Sequence, residues 1–191
     1  MPLLNLEALL TNERLLGAAS RLPTLEPGMV LATGQTLSGK LTTLLALVQT
    51  MLESNPAVVL LSDHAGHFDS FRPFPETWRE VIVNPTPEEW EKAIQRESDT
   101  GAIIVVAPLN RINAGPTFKA AIDHWVFGEL DTALVGIDVA YALYEMGVGY
   151  ESFVDSVRAI WSQFLVKSLC MQCAKPASLS PKDRELSLIH I

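Results

Sequence analysis

Short, unbroken apolar runs punctuate this chain, and longer stretches with helical spacing lie between them. The runs GMVLAT (28–33), AVVLLSD (57–63), REVIVN (79–84) and GAIIVVAP (101–108) lack the every-second-residue alternation of a strand with one wet face. They predict strands covered on both faces, and WVFGELDTALVG (125–136) predicts a fifth strand and turn. Between them, residues 4–22 place Leu6, Leu9, Leu10, Leu16 and Leu22 near helical spacing, and Pro23 and Pro27 end that helix. KLTTLLALVQTMLES (40–54) predicts an apolar helix closed by Asn55-Pro56. Residues 85–98 predict a helix that starts at Pro87, with Glu88 and Glu89 complementing the positive end of its dipole. Helices are also expected over 115–125, 138–146 and 150–169.

Strands alternating with helices give an α/β fold: a doubly wound, mostly parallel sheet flanked by helices. With 191 residues, 48% of them hydrophobic and 19% charged, the chain can bury one substantial core. A single domain over 1–176 is expected, with a Pro- and Ser-rich tail over 177–191 that reads as a frayed terminus or a strand without its partner.

Charge narrows the choice of partners. Fourteen basic against 22 acidic residues leave a net charge of −8 with no basic cluster, which argues against binding nucleic acid or an anionic membrane. No membrane-spanning run and no signal peptide is evident, so a cytoplasmic location without direct membrane insertion is expected. The two cysteines, Cys170 and Cys173, suit a metal half-site, a redox pair or no special role.

Candidate chemistry concentrates where the first strand meets the first long apolar helix. Gly34, Gly39 and Lys40 stand at the spacing of a phosphate-binding loop, with a strand before and a helix after. Backbone N–H groups of such a loop surround phosphate oxygens, and its lysine supplies a point charge to the β and γ phosphates. The residues of this candidate site are Gly34, Gln35, Thr36, Leu37, Ser38, Gly39, Lys40, Leu41 and Thr42. The competing reading is an ordinary βα turn with an exposed lysine.

Two positions depart from that pattern. Leu41 stands where a Ser or Thr hydroxyl would reach Mg²⁺, and neither Thr42 nor Thr43 points the same way on a helix. Leu37 stands where a further glycine often permits a positive φ, so a leucine there holds the backbone at a cost or reshapes it.

Taken in order, these segments resemble the C-terminal motor domain of the traffic ATPases of type II secretion and type IV pilus assembly. GMVLATGQTLSGKLTTLLALVQTML is similar to that family's strand, Walker A loop and helix, and GAIIVVAPLNR to its Walker B strand. HWVFGELDTALVGIDVAYALYEMGV resembles its histidine-box strand and following helix, and SQFLVKSLCMQCAKPA its Gln-containing helix leading into Cys-x-x-Cys. The match runs from about residue 5 to residue 176.

That resemblance implies a P-loop NTPase (RecA-like) fold, ATP and Mg²⁺ as cofactors, and a place at the inner membrane through partners. Those partners would be other subunits of a secretion or pilus motor, its inner-membrane platform, or further copies of the same chain. It also shows what has changed. Ala107 and Pro108 stand where the family has Gly-Glu, and Asp131 replaces the box histidine before Thr132. Ser62-Asp63-His64 replaces Glu-Asp-Pro, leaving Asp63 as the carboxylate able to hold a magnesium water.

No catalytic base is therefore assigned, and hydrolysis is expected to be weak or absent. A non-catalytic subunit that regulates a motor is the alternative, and a small-molecule kinase a third reading.

Other residues draw plainer expectations. His64, His67 and Asp69 are close enough in sequence to suggest ligands, but a solvated loop is favoured. Asp63 lies near the ligand-binding switch point if its strand neighbours the phosphate-loop strand. His124 reads as a half-buried histidine, Arg111 as an arginine after the Walker B segment or an exposed loop residue. Trp78, Trp90, Trp125 and Trp161 read as core or interface residues. Cys170 and Cys173 resemble half of the family's four-cysteine zinc module, and His190 is too isolated to complete it.

Overall fold

The computed structural model describes Leu6 and residues 13–51 and 57–165. Its centre is a six-stranded sheet in the order β3-β2-β4-β5-β1-β6, with every strand pair parallel. The strands are β1 (Met29–Gly34), β2 (Val58–Ser62), β3 (Trp78–Ile82), β4 (Ile103–Val106), β5 (Val126–Asp131) and β6 (Val157–Ser162). The helices are α1 (Glu13–Ala19), α2 (Lys40–Thr50), α3 (Pro87–Ser98), α4 (Ala114–Ala120), α5 (Val139–Glu145) and α6 (Tyr150–Ser156).

The lack of period-2 alternation in the central strands follows from two cores rather than one. Met29 and Leu31 of β1, Val59 and Leu61 of β2, and Ile104 and Val106 of β4 face one core, shared with Trp90, Phe118 and Leu143. Val30 and Ala32, Val58 and Leu60, and Ile103 and Val105 face the other, shared with Leu44, Leu47 and Phe68. Both faces of each strand are dry, so both parities must be apolar. The expected doubly wound sheet is present, and Trp78 and Trp90 are buried in it while Trp125 and Trp161 pack against it.

Local signals set several boundaries. Thr86 caps α3, its Oγ1 accepting from the Glu89 N–H at 3.3 Å, with Pro87 in the first turn where no intrahelical donor is lost.

One element differs from expectation. The helix expected over 150–169 stops at Ser156, and the chain continues as edge strand β6. Every β1 residue is buried, so its backbone groups need partners on both sides. β5 supplies one side, and VRAIWS supplies the other through pairs such as Val30 with Ala159 and Ala32 with Trp161. Pairing with a buried strand outweighs the weak helical pattern of this segment, and β-branched and aromatic residues suit the result. Gln163 consequently lies beyond a strand, not in the helix that the family resemblance implied.

Candidate functional site

All six strands are parallel, so their C-terminal ends share one rim, the place where open α/β sheets bind ligands. β1 ends there in Gly34, the loop 35–38 turns, and Gly39 at φ 83° starts α2. Gly34 admits no side chain, because a Cβ would collide with the Gln163 carbonyl oxygen and lie 2.6 Å from Ser38 Oγ. Leu37 sits at φ 64°, the single positive-φ non-glycine among the described residues, and its side chain is exposed. The cost expected of a leucine there is thus borne by the backbone rather than avoided by reshaping.

Lys40 is not the exposed lysine of an ordinary turn. It is 2% exposed, and its Nζ donates to the Gln35 carbonyl at 2.9 Å across the loop. The same ammonium meets Asp131 Oδ1 at 2.5 Å and Glu129 Oε1 at 3.5 Å. Both carboxylates stand on β5, in register with Ala32 and Gly34 of β1. Asp131 also accepts from Thr36 Oγ1 at 3.3 Å, and the Thr132 N–H reaches the Gly34 carbonyl at 3.2 Å.

Two polar atoms at the loop are buried with no hydrogen-bond partner among the described residues: Ser38 Oγ and Gln163 Oε1. Gln163 is fastened to the loop otherwise, its N–H donating to the Thr33 carbonyl at 2.9 Å and its Nε2 to the Ser38 carbonyl at 2.8 Å. The first N–H groups of α2 have no intrahelical acceptor by the geometry of any helix start. Buried polar atoms are nearly always paired in folded proteins; the Ser38 hydroxyl and the helix N–H groups can donate to an oxygen-rich ligand such as phosphate, whereas Gln163 Oε1 is an acceptor and suits a donor instead.

Magnesium fits less well. Leu41 is partly buried and packs against the core shared with Leu44 and Leu47, so the position that would carry a metal-binding hydroxyl carries an apolar contact. Among the described residues no group of three or more His, Cys, Asp or Glu side chains is arranged to hold a metal ion.

Asp63 does not follow a strand adjacent to β1, since β4 and β5 intervene. Instead it ends a hydrogen-bonded chain that crosses the rim. Asp63 Oδ1 meets His64 Nδ1 at 2.7 Å, His64 Nε2 meets His67 Nδ1 at 3.2 Å, and His67 Nε2 meets Glu129 Oε2 at 3.3 Å. Glu129 then joins Lys40. Asn110 Nδ2 reaches the other Asp63 oxygen at 3.4 Å. The histidines therefore form a network, with His67 mostly covered at 20% exposure and His64 solvated at 57%. Asp69 stays outside it, paired with Arg72, whose guanidinium is held above its ordinary pKa by hydrogen bonds to Asp69 and Glu80.

The end of β4 offers no acid. Ala107 is buried, and the turn after Pro108 is closed by two asparagines. Asn113 Oδ1 accepts from the Asn110 N–H at 2.8 Å, Asn113 Nδ2 donates to the Pro108 carbonyl at 2.9 Å, and Asn110 Oδ1 accepts from the Ile112 N–H at 2.8 Å. Arg111 is exposed on that turn. His124 is half-buried just before β5, on the opposite rim from the loop. Cys170, Cys173 and His190 lie outside the described residues.

Sequence reasoning placed the loop and missed Glu129 and the loop-facing role of Gln163. An acid inside an otherwise apolar strand, VFGEL, was the available signal for Glu129. None existed for Gln163, whose position depends on β6.

Comparison with known proteins gives three informative matches. The chain is 27% identical over 162 residues to type II secretion system protein E of Pectobacterium carotovorum subsp. carotovorum; the match covers 83% of the chain and 31% of that protein. It thus spans about a third of the length of that relative. Among solved structures it is similar to the Legionella pneumophila ATPase DotB, with TM-score 0.62, 18% identity, and coverage of 86% of this chain and 47% of that one. It is also similar to the pilus retraction motor PilT with bound ADP, with TM-score 0.53, 18% identity, and coverage of 72% and 40%. No family model matches the sequence. The chain is thus similar in sequence to part of a type II secretion system protein E and has the P-loop NTPase-like fold of these two structures.

Proposed function

We propose that this chain binds ATP or ADP through residues 34–42, with Lys40 and the loop N–H groups on the phosphates, and hydrolyses ATP weakly or not at all. The observation that carries the reading is the buried lysine folded across a preformed loop beside unpaired Ser38 Oγ. An oxyanion ligand can use such a cradle through charge-assisted hydrogen bonds. Similarity to an ATPase and to a motor whose structure holds ADP supports the same ligand class.

Weak hydrolysis follows from what surrounds the loop. Attack of water on a γ-phosphate needs a positioned base and charge stabilisation, usually including a metal. Ala107 and Pro108 supply no base, and Leu41 supplies no metal ligand. The Mg²⁺ that accompanies a nucleotide would be held by its phosphates and by water, since Asp63 reaches the loop only through His64, His67 and Glu129. The expected setting is cytoplasmic, with attachment at the inner membrane through a secretion or pilus motor or its platform.

A second reading is a non-catalytic subunit that docks on such a motor and regulates it. The loss of an acid at the end of β4 while the turn there is rebuilt by Asn110 and Asn113 favours it. Equilibrium binding of ATP combined with steady phosphate release separates the readings. Binding with phosphate release that stops in Lys40→Ala marks a slow enzyme. Binding without release, together with a stable complex with an intact motor ATPase, marks the regulatory subunit. Absence of binding refutes the nucleotide reading.

A further inference from the structure

The phosphate-loop lysine already has acceptors for its donors. Lys40 Nζ has three N–H donors, and three acceptors surround it: the Gln35 carbonyl, Asp131 and Glu129. A phosphate oxygen reaches this ammonium by taking the place of one of them. The Gln35 carbonyl belongs to the loop backbone and stays with it.

The two carboxylates differ in freedom. Glu129 is mostly buried, with its side chain 13% exposed, and it has a second partner in His67, so it can leave Lys40 without losing all its contacts. Asp131 is 48% exposed, touches both Lys40 and Thr36, and lies at the mouth where β5 ends beside Gly34. An exposed carboxylate can turn into water at little desolvation cost. It is also the shorter of the two contacts and the one that spans the loop.

We propose that Asp131 gates the phosphate loop. Its carboxylate holds Lys40 and Thr36 where phosphate oxygens would bind, and nucleotide enters by exchanging phosphate for that carboxylate while Glu129 remains on His67. This rests on the phosphate-binding reading above and adds to it a residue that sets the affinity. The Asp131 contacts to Lys40 and Thr36 thus span the loop that carries Leu37 at positive φ. The site selects ligands able to displace a carboxylate from a buried ammonium, which favours the doubly charged terminal phosphate of a nucleotide over singly charged anions.

Simple repulsion between Asp131 and an incoming phosphate would also weaken binding, so the test must separate exchange from repulsion. Calorimetric titration of metal-free ADP into the full chain and into Asp131→Asn, beside thermal unfolding of both without ligand, does so. Exchange predicts that Asp131→Asn binds ADP about tenfold or more tightly. It also predicts a ligand-free melting temperature lower by about 3 °C, because a favourable contact to Lys40 is weakened. Tighter binding with an unchanged or raised melting temperature indicates repulsion alone and overturns the gate. Unchanged or weaker binding overturns it as well. If neither protein binds ADP and the melting temperature falls, the phosphate-binding reading itself has failed and Lys40 is a structural cation. Should Asp131→Asn not fold, Asp131→Ser removes the carboxylate in its place, and a gain of about tenfold in ADP affinity with a lowered ligand-free melting temperature is expected, with no gain counting against the gate.

Discussion

Two strand ends on one rim, separated by β5, have gone different ways. At the end of β4, the side chains form their own closure: Asn110 and Asn113 bond the turn's N–H and carbonyl groups, and Thr117 Oγ1 donates to the Asn113 carbonyl at 2.6 Å. At the end of β1, the loop keeps a strained Leu37, an orphan Ser38 hydroxyl and a buried lysine among carboxylates. Closure is what stability alone favours. Strain and unpaired polar atoms persist where a ligand or a switch makes use of them. The contrast teaches that the loop proposed to bind phosphate and the closed turn after β4 belong to separate strand ends, so one can change without the other.

The comparison can be attacked from either side. Lys40→Ala is expected to have the largest effect on stability, about 3 kcal/mol by denaturant unfolding, because it removes a buried ammonium and leaves the mostly covered Glu129 without it. Asn113→Ala follows at about 2 kcal/mol, since the part-buried Asn110 N–H and Pro108 carbonyl both lose partners. Its ADP affinity by calorimetry should match wild type; a coupled loss would show the two strand ends are not independent.

Leu37→Gly acts oppositely. Relief of the positive φ should stabilise the protein by about 1 kcal/mol, less the entropy of a freer unfolded chain, again measured by denaturant. A clear loss of stability would mean the leucine makes contacts that outweigh its backbone. The smallest effect is expected for Leu41→Ser. A hydroxyl there should raise the Mg²⁺ dependence of ADP affinity by about threefold, with slight destabilisation as a core contact is lost.

How legible this was in the sequence depended on range. The strands β1, β2 and β4 declared themselves because burial on both faces leaves an unbroken apolar run, and the α3 start was written in Thr86, Pro87 and two glutamates. The loop was visible as glycine and lysine spacing within a few residues. β6 was not, because VRAIWS becomes a strand only by pairing with β1, more than a hundred residues away in the chain. The same holds for Gln163, which reaches Ser38 across 125 residues, and for the His67 contact to Glu129 across 62. Asp131 could be seen as a replaced histidine, yet its grip on Lys40 follows from the β1–β5 register, which no local pattern encodes.

The central claim is that the unpaired groups of the loop receive phosphate. Amide hydrogen exchange of the full chain, with and without saturating ADP, tests it at the atoms concerned. The account predicts slowed exchange concentrated in residues 35–42, with the turn 108–113 unchanged. Exchange in the loop that ADP leaves untouched, or protection spread elsewhere without it, would contradict the claim and leave Lys40 as a buried structural cation.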